Sequence, residues 1–456
     1  MATHPLTALR ASTGLSQTAY AQLIARTHAE LGHGQMAARR EKVSRWESGR
    51  IAPEFSAQLA IARIHQVDND LVLRLGWPQW LMVATGDHHL LQQPWSPRGA
   101  MALSRFAADT TGSRSSGPIA TGASLGALIR GAVAALDSGS LPPERDGPRI
   151  APETLSWAEA RIRALEELET GTPVSPDALH LAARTEHHLI GDLLTRGGYD
   201  RATGTRLLLL SARTATLCTW TSYTLGEDAR TERYNLAAIS AAAAAGASRH
   251  VAAFLTQLCF RHHRRGHPED VLSLLRAART IVPRPTPRLA VLLHTHRALA
   301  LARLREPTTS MRSLEHAERA FAASPRTWDP EADPTGASID EGYLALSRGT
   351  TWLHLGQPMR ALSCFDALTG DGTPSHRPPT PYSVIDLCLV VEAQLAADRL
   401  EEAAATARHA VERAGILPPG VADRFRDLLT PHADRPSVQE VLDLLTGRPA
   451  PRRATG

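Results

Sequence analysis

Short turns recur along most of this chain, and their spacing constrains the fold more than any other feature. They fall at Leu225-Gly226, Arg265-Gly266, Arg305-Glu306, Leu355-Gly356 and Asp398-Arg399, about 40 residues apart and stretched once by a proline-rich insert at 325–334. Three of them continue into His267-Pro268, Glu306-Pro307 and Gln357-Pro358. Proline suits the first turn of a helix, where its fixed φ is pre-organised and its missing N–H costs nothing. Each turn separates two amphipathic stretches, such as 250–264 from 269–282 and 289–304 from 310–322. Small residues at Ala277-Ala278, Ala317, Ala320 and 403–405 mark close helix approach. A helical-hairpin period in this range predicts an α-solenoid, because one hairpin cannot bury its apolar face without stacked neighbours.

Composition agrees. A chain of 456 residues exceeds one core of ordinary size, so two or more domains are expected. Hydrophobic residues make up 43% but aromatic ones only 5%, so the cores must be built from Ala and Leu, which favour helix over sheet. No sustained β-branched alternation is present, and the predicted fold class is all-α. The expected division is a small helical domain at 1–85, a Pro/Gly/Ser-rich linker at 86–152 with one short helix at 125–136, the repeat domain at 153–446 and a flexible tail at 447–456. The N-terminal residues lack the apolar stretch of a signal peptide, and the longest apolar run, at 236–247, is too short to span a bilayer. Cys218, Cys259, Cys364 and Cys388 are widely scattered and predict reduced core thiols in a cytoplasmic protein with no membrane partner. The net charge of +4 is too small for this length to imply a nucleic-acid partner, so the placement of the charge carries more weight.

That placement is uneven. Arg39, Arg40, Lys42, Arg45 and Arg50 crowd one short segment against Glu41 and Glu47, and Lys42 is the only lysine in the chain. The segment 38–49 reads as a helix with basic residues on one face, Val43 and Trp46 on another, and Gly49 as its stop. Upstream, Gly14-Leu15-Ser16-Gln17 reads as a turn and an N-cap opening another helix, with Tyr20, Leu23 and Ile24 at helical spacing. Together, Leu15-Ser16-Gln17 and Val43-Ser44-Arg45-Trp46-Glu47-Ser48-Gly49 resemble the helix-turn-helix of the phage-repressor, or XRE/Cro, family. The resemblance covers residues 6–81. It implies that the second helix of the motif enters the major groove of double-stranded DNA, with Arg40, Glu41 and Arg45 toward base edges. Arg39, Lys42, Ser44 and Arg50 suit phosphates or either role. Gln17 resembles the family's phosphate-contacting glutamine, at a helix N-terminus that favours an anion. Arg10 and Glu47 match a structural ion pair of the family, so Glu47 is not expected on DNA. The interval from Ser16 to Trp46 is longer than in compact members, with the extra residues around 27–37, which implies a lengthened second helix or an enlarged turn. The repeat array resembles tetratricopeptide-like repeats of long period, and the whole layout is similar to large actinobacterial regulators with an XRE-type domain ahead of such an array.

The resemblance implies a DNA-binding transcriptional regulator. One small motif reads few bases, so a homodimer is expected, and the repeats, whose concave surface suits a peptide, protein or small-molecule effector, are expected to dimerise or to bind such an effector. Two alternatives stand beside it: an interaction scaffold, or a ligand sensor, with a degenerate DNA-binding domain. A second basic cluster, Arg261-His262-His263-Arg264-Arg265-Gly266-His267, reads as a solvated helix end, where cations are favoured. With Cys259 it offers metal-ligating residue types, but adjacent histidines on a helix diverge by about 100° and two ligands on one face do not close a site. Glu186-His187-His188 lacks a metal-binding spacing. Trp77, Trp80 and Trp95 read as clamps at a domain end. No phosphate-binding glycine loop, nucleophile elbow or catalytic carboxylate pair is found, so neither catalysis nor a cofactor or metal is expected.

Overall fold

A computed structural model describes residues 4–65, 67–84, 93–109, 120–138, 144–171, 174–325, 334, 339–369, 381–415 and 417–446. These residues are all-helical. Apart from helices they hold only two isolated backbone bridges, Arg145 with Tyr199 and Arg149 with Gly198. Contacts divide the chain into two compact units. One comprises residues 1–150, 187–215 and 228–283, the other 151–186, 216–227 and 284–456.

The first unit opens with six short helices: α1 (Pro5–Ser12), α2 (Gln17–Glu30), α3 (Arg40–Glu47), α4 (Phe55–Ile64), α5 (Asn69–Leu75) and α6 (Gln79–Ala84). Their shared core holds Leu6, Leu9, Tyr20, Ile24, Val43, Trp46, Ile61 and Trp80. α2 lies against both α3 and α4, while α1 touches α3 and α6. Trp80 is fully buried and donates its indole N–H to Gln58 Oε1 at 3.2 Å, so it anchors the domain end.

The segment expected to be a linker with one helix contains two, α7 (Pro97–Asp109) and α8 (Gly122–Asp137). The short helix expected at 125–136 is α8. α7 was hidden because it lies between stretches rich in Gly, Ser, Thr and Pro; its buried face is made of Ala100, Leu103, Ala107 and Ala108. The Trp95 ring fills the space that a side chain at Gly131 of α8 would need. The remaining expected linker residues, and the tail at 447–456, lie largely outside the described residues.

Three long helices follow: α9 (Pro152–Gly171), α10 (Pro176–Arg196) and α11 (Arg201–Thr224). Next come α12 (Asp228–Ala244), α13 (Ser248–Arg265) and α14 (Pro268–Ile281) of the first unit. α12 is buried along its whole length, with α7, α8 and α13 packed against it, and α8 also reaches α14.

The second unit carries the repeats as four helical hairpins: α15 (Pro287–Arg303) with α16 (Pro307–Ala322), α17 (Glu341–His354) with α18 (Pro358–Thr369), α19 (Pro381–Ala396) with α20 (Leu400–Ala414), and α21 (Pro419–Leu429) with α22 (Pro436–Leu445). Each hairpin packs on the next, as a solenoid requires. The expected turns are present, and Pro268, Pro307 and Pro358 each begin a helix. The turn residues Arg305, Gly356 and Asp398 take left-handed backbone, with φ of 61°, 74° and 59°.

The last hairpin turns its apolar residues inward. Val421, Phe425, Leu429, Val438 and Val441 join the core built by α18, α19 and α20. Its start also meets the turn after α11. A Cβ at Gly420 would lie 2.5 Å from Gly226 N and 2.9 Å from Thr224 O, so two backbones touch where no side chain fits. Among the described residues no helix is long and apolar enough to cross a membrane.

Candidate nucleic-acid interface

The two helices of the motif are set by local capping and by one histidine. Ser16 Oγ accepts from the Ala19 amide at 3.2 Å and starts α2. α2 runs on to Glu30, so the extra residues are shared between a longer helix and the loop 31–39. His28, near the end of α2, holds that loop. Its Nδ1 lies 3.0 Å from Gly34 O and its Nε2 3.0 Å from Ser56 Oγ on α4. A carbonyl only accepts, so Nδ1 carries the proton and, in the neutral ring, Nε2 accepts from the serine hydroxyl. Met36 packs from the loop onto the domain core.

α3 starts at Arg40, two residues later than the sequence suggests. Arg39 takes extended backbone at the N-cap and makes no side-chain cap hydrogen bond. Gly49, with φ of 69°, ends the helix in the left-handed region that glycine adopts without strain. The two faces divide as expected. Val43 is fully buried and Trp46 nearly so, while Arg39, Arg40, Glu41, Ser44, Arg45 and Arg50 are exposed and Lys42 is half-buried. Among the described residues no hydrogen bond or ion pair ties down the side chains of Arg39, Lys42, Arg45 or Arg50.

A chain of hydrogen bonds ties this face to the body of the domain. Arg10 Nε donates to Glu47 Oε1 at 2.6 Å, and Arg10 Nη1 donates to Leu15 O at 2.7 Å. Glu47 Oε2 accepts from Gln17 Nε2 at 2.6 Å, and Gln17 Oε1 accepts from Arg40 Nε at 3.2 Å. The expected Arg10–Glu47 pair is therefore present, with Glu47 buried. Gln17 and Arg40, singled out separately in the sequence, are brought together. Gln17 acts as a spacer between the buried carboxylate and the exposed guanidinium. Nothing in the order of residues signals that link, since neither residue is unusual and they come from different helices.

Nearby ionisable groups are held neutral. His4 caps α1, with Nδ1 accepting from the Leu6 amide at 3.2 Å, and its ring stacks on Trp77 at 5.5 Å. Burial first, and the neighbouring His267 second, push its pKa down to about 4. Tyr20, bonded to His65 Nε2 at 2.8 Å, has its phenol pKa raised by burial, and burial lowers that of His65.

An α-helix of this length is about 12 Å long and, with side chains, about 10–12 Å across, which matches a major groove about 12 Å wide. Unpaired arginines on its outer face can neutralise phosphates and offer paired N–H groups to guanine. The second basic cluster differs from its reading as a solvated end. Arg261 and His262 are buried, because Asp228 and Glu232 on α12 and Asp270 on α14 supply partners that adjacent sequence does not reveal. No protein-family model and no curated protein matches this chain.

Proposed function

We propose that the chain is a DNA-binding transcriptional regulator of XRE type, in which α3 enters the major groove. The observation that carries this reading is the exposed face of α3. Arg40 is oriented there by Gln17 and Glu47, and Arg45 makes no hydrogen bond or ion pair among the described residues, while Val43 and Trp46 of the same helix are buried. Arg40, Glu41 and Arg45 read bases, while Arg39, Lys42, Ser44 and Arg50 hold the backbone. Gln17 works through Arg40 and beside the phosphate at the start of α2. The chain acts in the cytoplasm, without catalysis, and its repeats take a peptide, protein or small-molecule effector.

The active form on DNA is a homodimer, because one small motif reads few bases and paired half-sites extend the contact. The last hairpin, α21 with α22, carries the apolar runs 421–429 and 438–445, which could either meet a second copy or cap the array. Its inward-turned apolar residues favour the cap, so the dimer reading rests on the DNA argument alone.

The test is a mobility shift on fragments of the source genome at two stated salt concentrations, comparing the intact chain with Arg40→Ala and Arg45→Ala. The expected result is selective retention of a few fragments, weakened by salt and by both substitutions. Equal retention of all fragments by all three proteins would refute the assignment.

A further inference from the structure

The run Arg261-His262-His263-Arg264-Arg265-Gly266-His267 ends α13 and turns into α14, and this turn meets three other parts of the first unit. Arg261 places Nη1 at 2.7 Å from Asp228 Oδ1 and Nε at 3.5 Å from Glu232 Oε2, both on α12. The other Glu232 oxygen accepts from the Ala120 amide at 2.8 Å. Asp270 Oδ1, in the first turn of α14, accepts from the Gly122 amide at 2.9 Å. Gly122 opens α8, where amides have no partner inside the helix and the dipole favours negative charge, and Ala120 lies two residues before it. Two carboxylates from two other helices thus hold the beginning of α8. His262, fully buried, lies with Nδ1 3.7 Å from Asp270 Oδ2.

The far side of the same turn reaches α3. His267 Nε2 stands 4.0 Å from the point that a Cβ on Gly49 would occupy, and the His4 ring is 3.6 Å from that point. Gly49 ends α3, and His4 caps α1. The imidazoles of His4 and His267 thus flank Gly49, two residues past the end of α3.

We propose that the α13–α14 turn is a relay that sets α3: it grips α8 through Glu232 and Asp270 and abuts the end of α3 through His267. Asp228, Glu232, Arg261, His262 and Asp270 are all buried. Arg261 lies between Asp228 and Glu232, so none of these three can move alone without leaving a partner's charge uncompensated, and a shift of Asp270 takes the acceptor from the Gly122 amide. A ligand or partner that displaces the hairpin transmits that displacement to the helix carrying Arg40 and Arg45. Only the consequence for DNA rests on the preceding functional reading; the mechanical coupling does not.

The coupling is tested by hydrogen–deuterium exchange of the full-length chain, read by peptide mass, for Asp270→Asn and His267→Ala. Asp270→Asn keeps the side-chain shape and removes the charge, and His267→Ala trims an exposed ring, so the second variant keeps the test open if the first does not fold. Asp270→Asn is expected to speed exchange several-fold in the first turn of α8 and also in the last turn of α3. His267→Ala is expected to speed it several-fold in the last turn of α3 while α8 keeps its wild-type rate. Wild-type exchange of α3 in His267→Ala would overturn the relay, as would a change in Asp270→Asn confined to α8. Faster exchange at α3 in a chain that retains no genomic fragment supports the relay and removes only the DNA reading.

Discussion

Arg10 and Glu47 meet across the first and third helices at 2.6 Å, and Glu47 is 7% exposed while Arg10 is 17%. The pair fixes α3 against α1 and also orients Gln17, so one buried carboxylate serves packing and the exposed face together. Arg10→Ala leaves that carboxylate, among the described residues, with only the Gln17 amide. The expected loss is about 2–3 kcal/mol, below the value for a fully buried pair because water reaches the arginine. Native-state hydrogen exchange of α2 and α3 measures it. A loss under about 0.5 kcal/mol, the ordinary size for a surface site, would contradict the buried role.

Trp46→Ala should act on stability. Its indole is 6% exposed and packs in the core of the six-helix domain. Truncation of a buried aromatic costs about 3–5 kcal/mol. Urea unfolding followed on α2 and α3 amides should show this. Unchanged unfolding with lost DNA retention would reverse the assignment.

Gln17→Ala and Arg45→Ala should separate two roles. Gln17 bridges Glu47 and Arg40, so its loss should lower both domain stability and DNA affinity. Arg45 is exposed and makes no ion pair within the described residues, so Arg45→Ala should keep stability and lose about 1–3 kcal/mol of affinity. Exchange and fragment retention, measured on the same preparations, give the two readouts. Equal effects of both variants on stability would refute the division.

Acid should weaken the fold. Burial lowers the pKa of His4 to about 4, of His187 to about 4 and of His296 to about 3. These rings stay neutral when folded, yet take up protons below pH 6.5 when unfolded. Their contribution is complete above pH 6.5 and is lost as pH falls toward 4, each ring costing about 1.4 kcal/mol per pH unit. Asp386, pushed up to about 7 by burial, and Asp270, also raised by burial, have the opposite sign. The histidines outnumber them, so a net loss on the order of 1–3 kcal/mol per pH unit is expected between pH 6.5 and 5. Urea midpoints at pH 7 and pH 5 test it, and a higher midpoint at pH 5 would contradict the balance.

Gly420→Ala should break the contact with Gly226. The added methyl meets backbone atoms of Gly226 and Thr224, which have no rotamer through which to yield. Overpacking of this kind costs about 1–3 kcal/mol. Thermal unfolding should show it, and a wild-type melting temperature would mean that the backbones part freely.

Much of this was legible because it is local. Val43 and Trp46 declare an inward face by their spacing. Gly356, and the proline one residue beyond Glu306, declare turns by their backbone preferences. Arg10 and Glu47 could be paired in advance only through the resemblance. What stayed hidden depends on distant partners. The carboxylates that bury Arg261 lie on a preceding helix, and the amides held by Glu232 and Asp270 lie more than a hundred positions earlier. α7 escaped because the glycine-, serine- and proline-rich residues on either side of it read as one continuous linker. The Gln17–Arg40 link escaped because hydrogen bonds between common polar residues leave no periodic mark.

The meeting of Gly226 and Gly420 bears on how such a protein can evolve. An open array tolerates duplication, since an added hairpin only lengthens the stack. In the second unit, α21 must arrive beside the turn after α11, and inserting or deleting one hairpin between α15 and α20 would carry Gly420 away from Gly226. The number of repeats is thus tied to a contact between two residues without side chains, which an added or deleted hairpin would break.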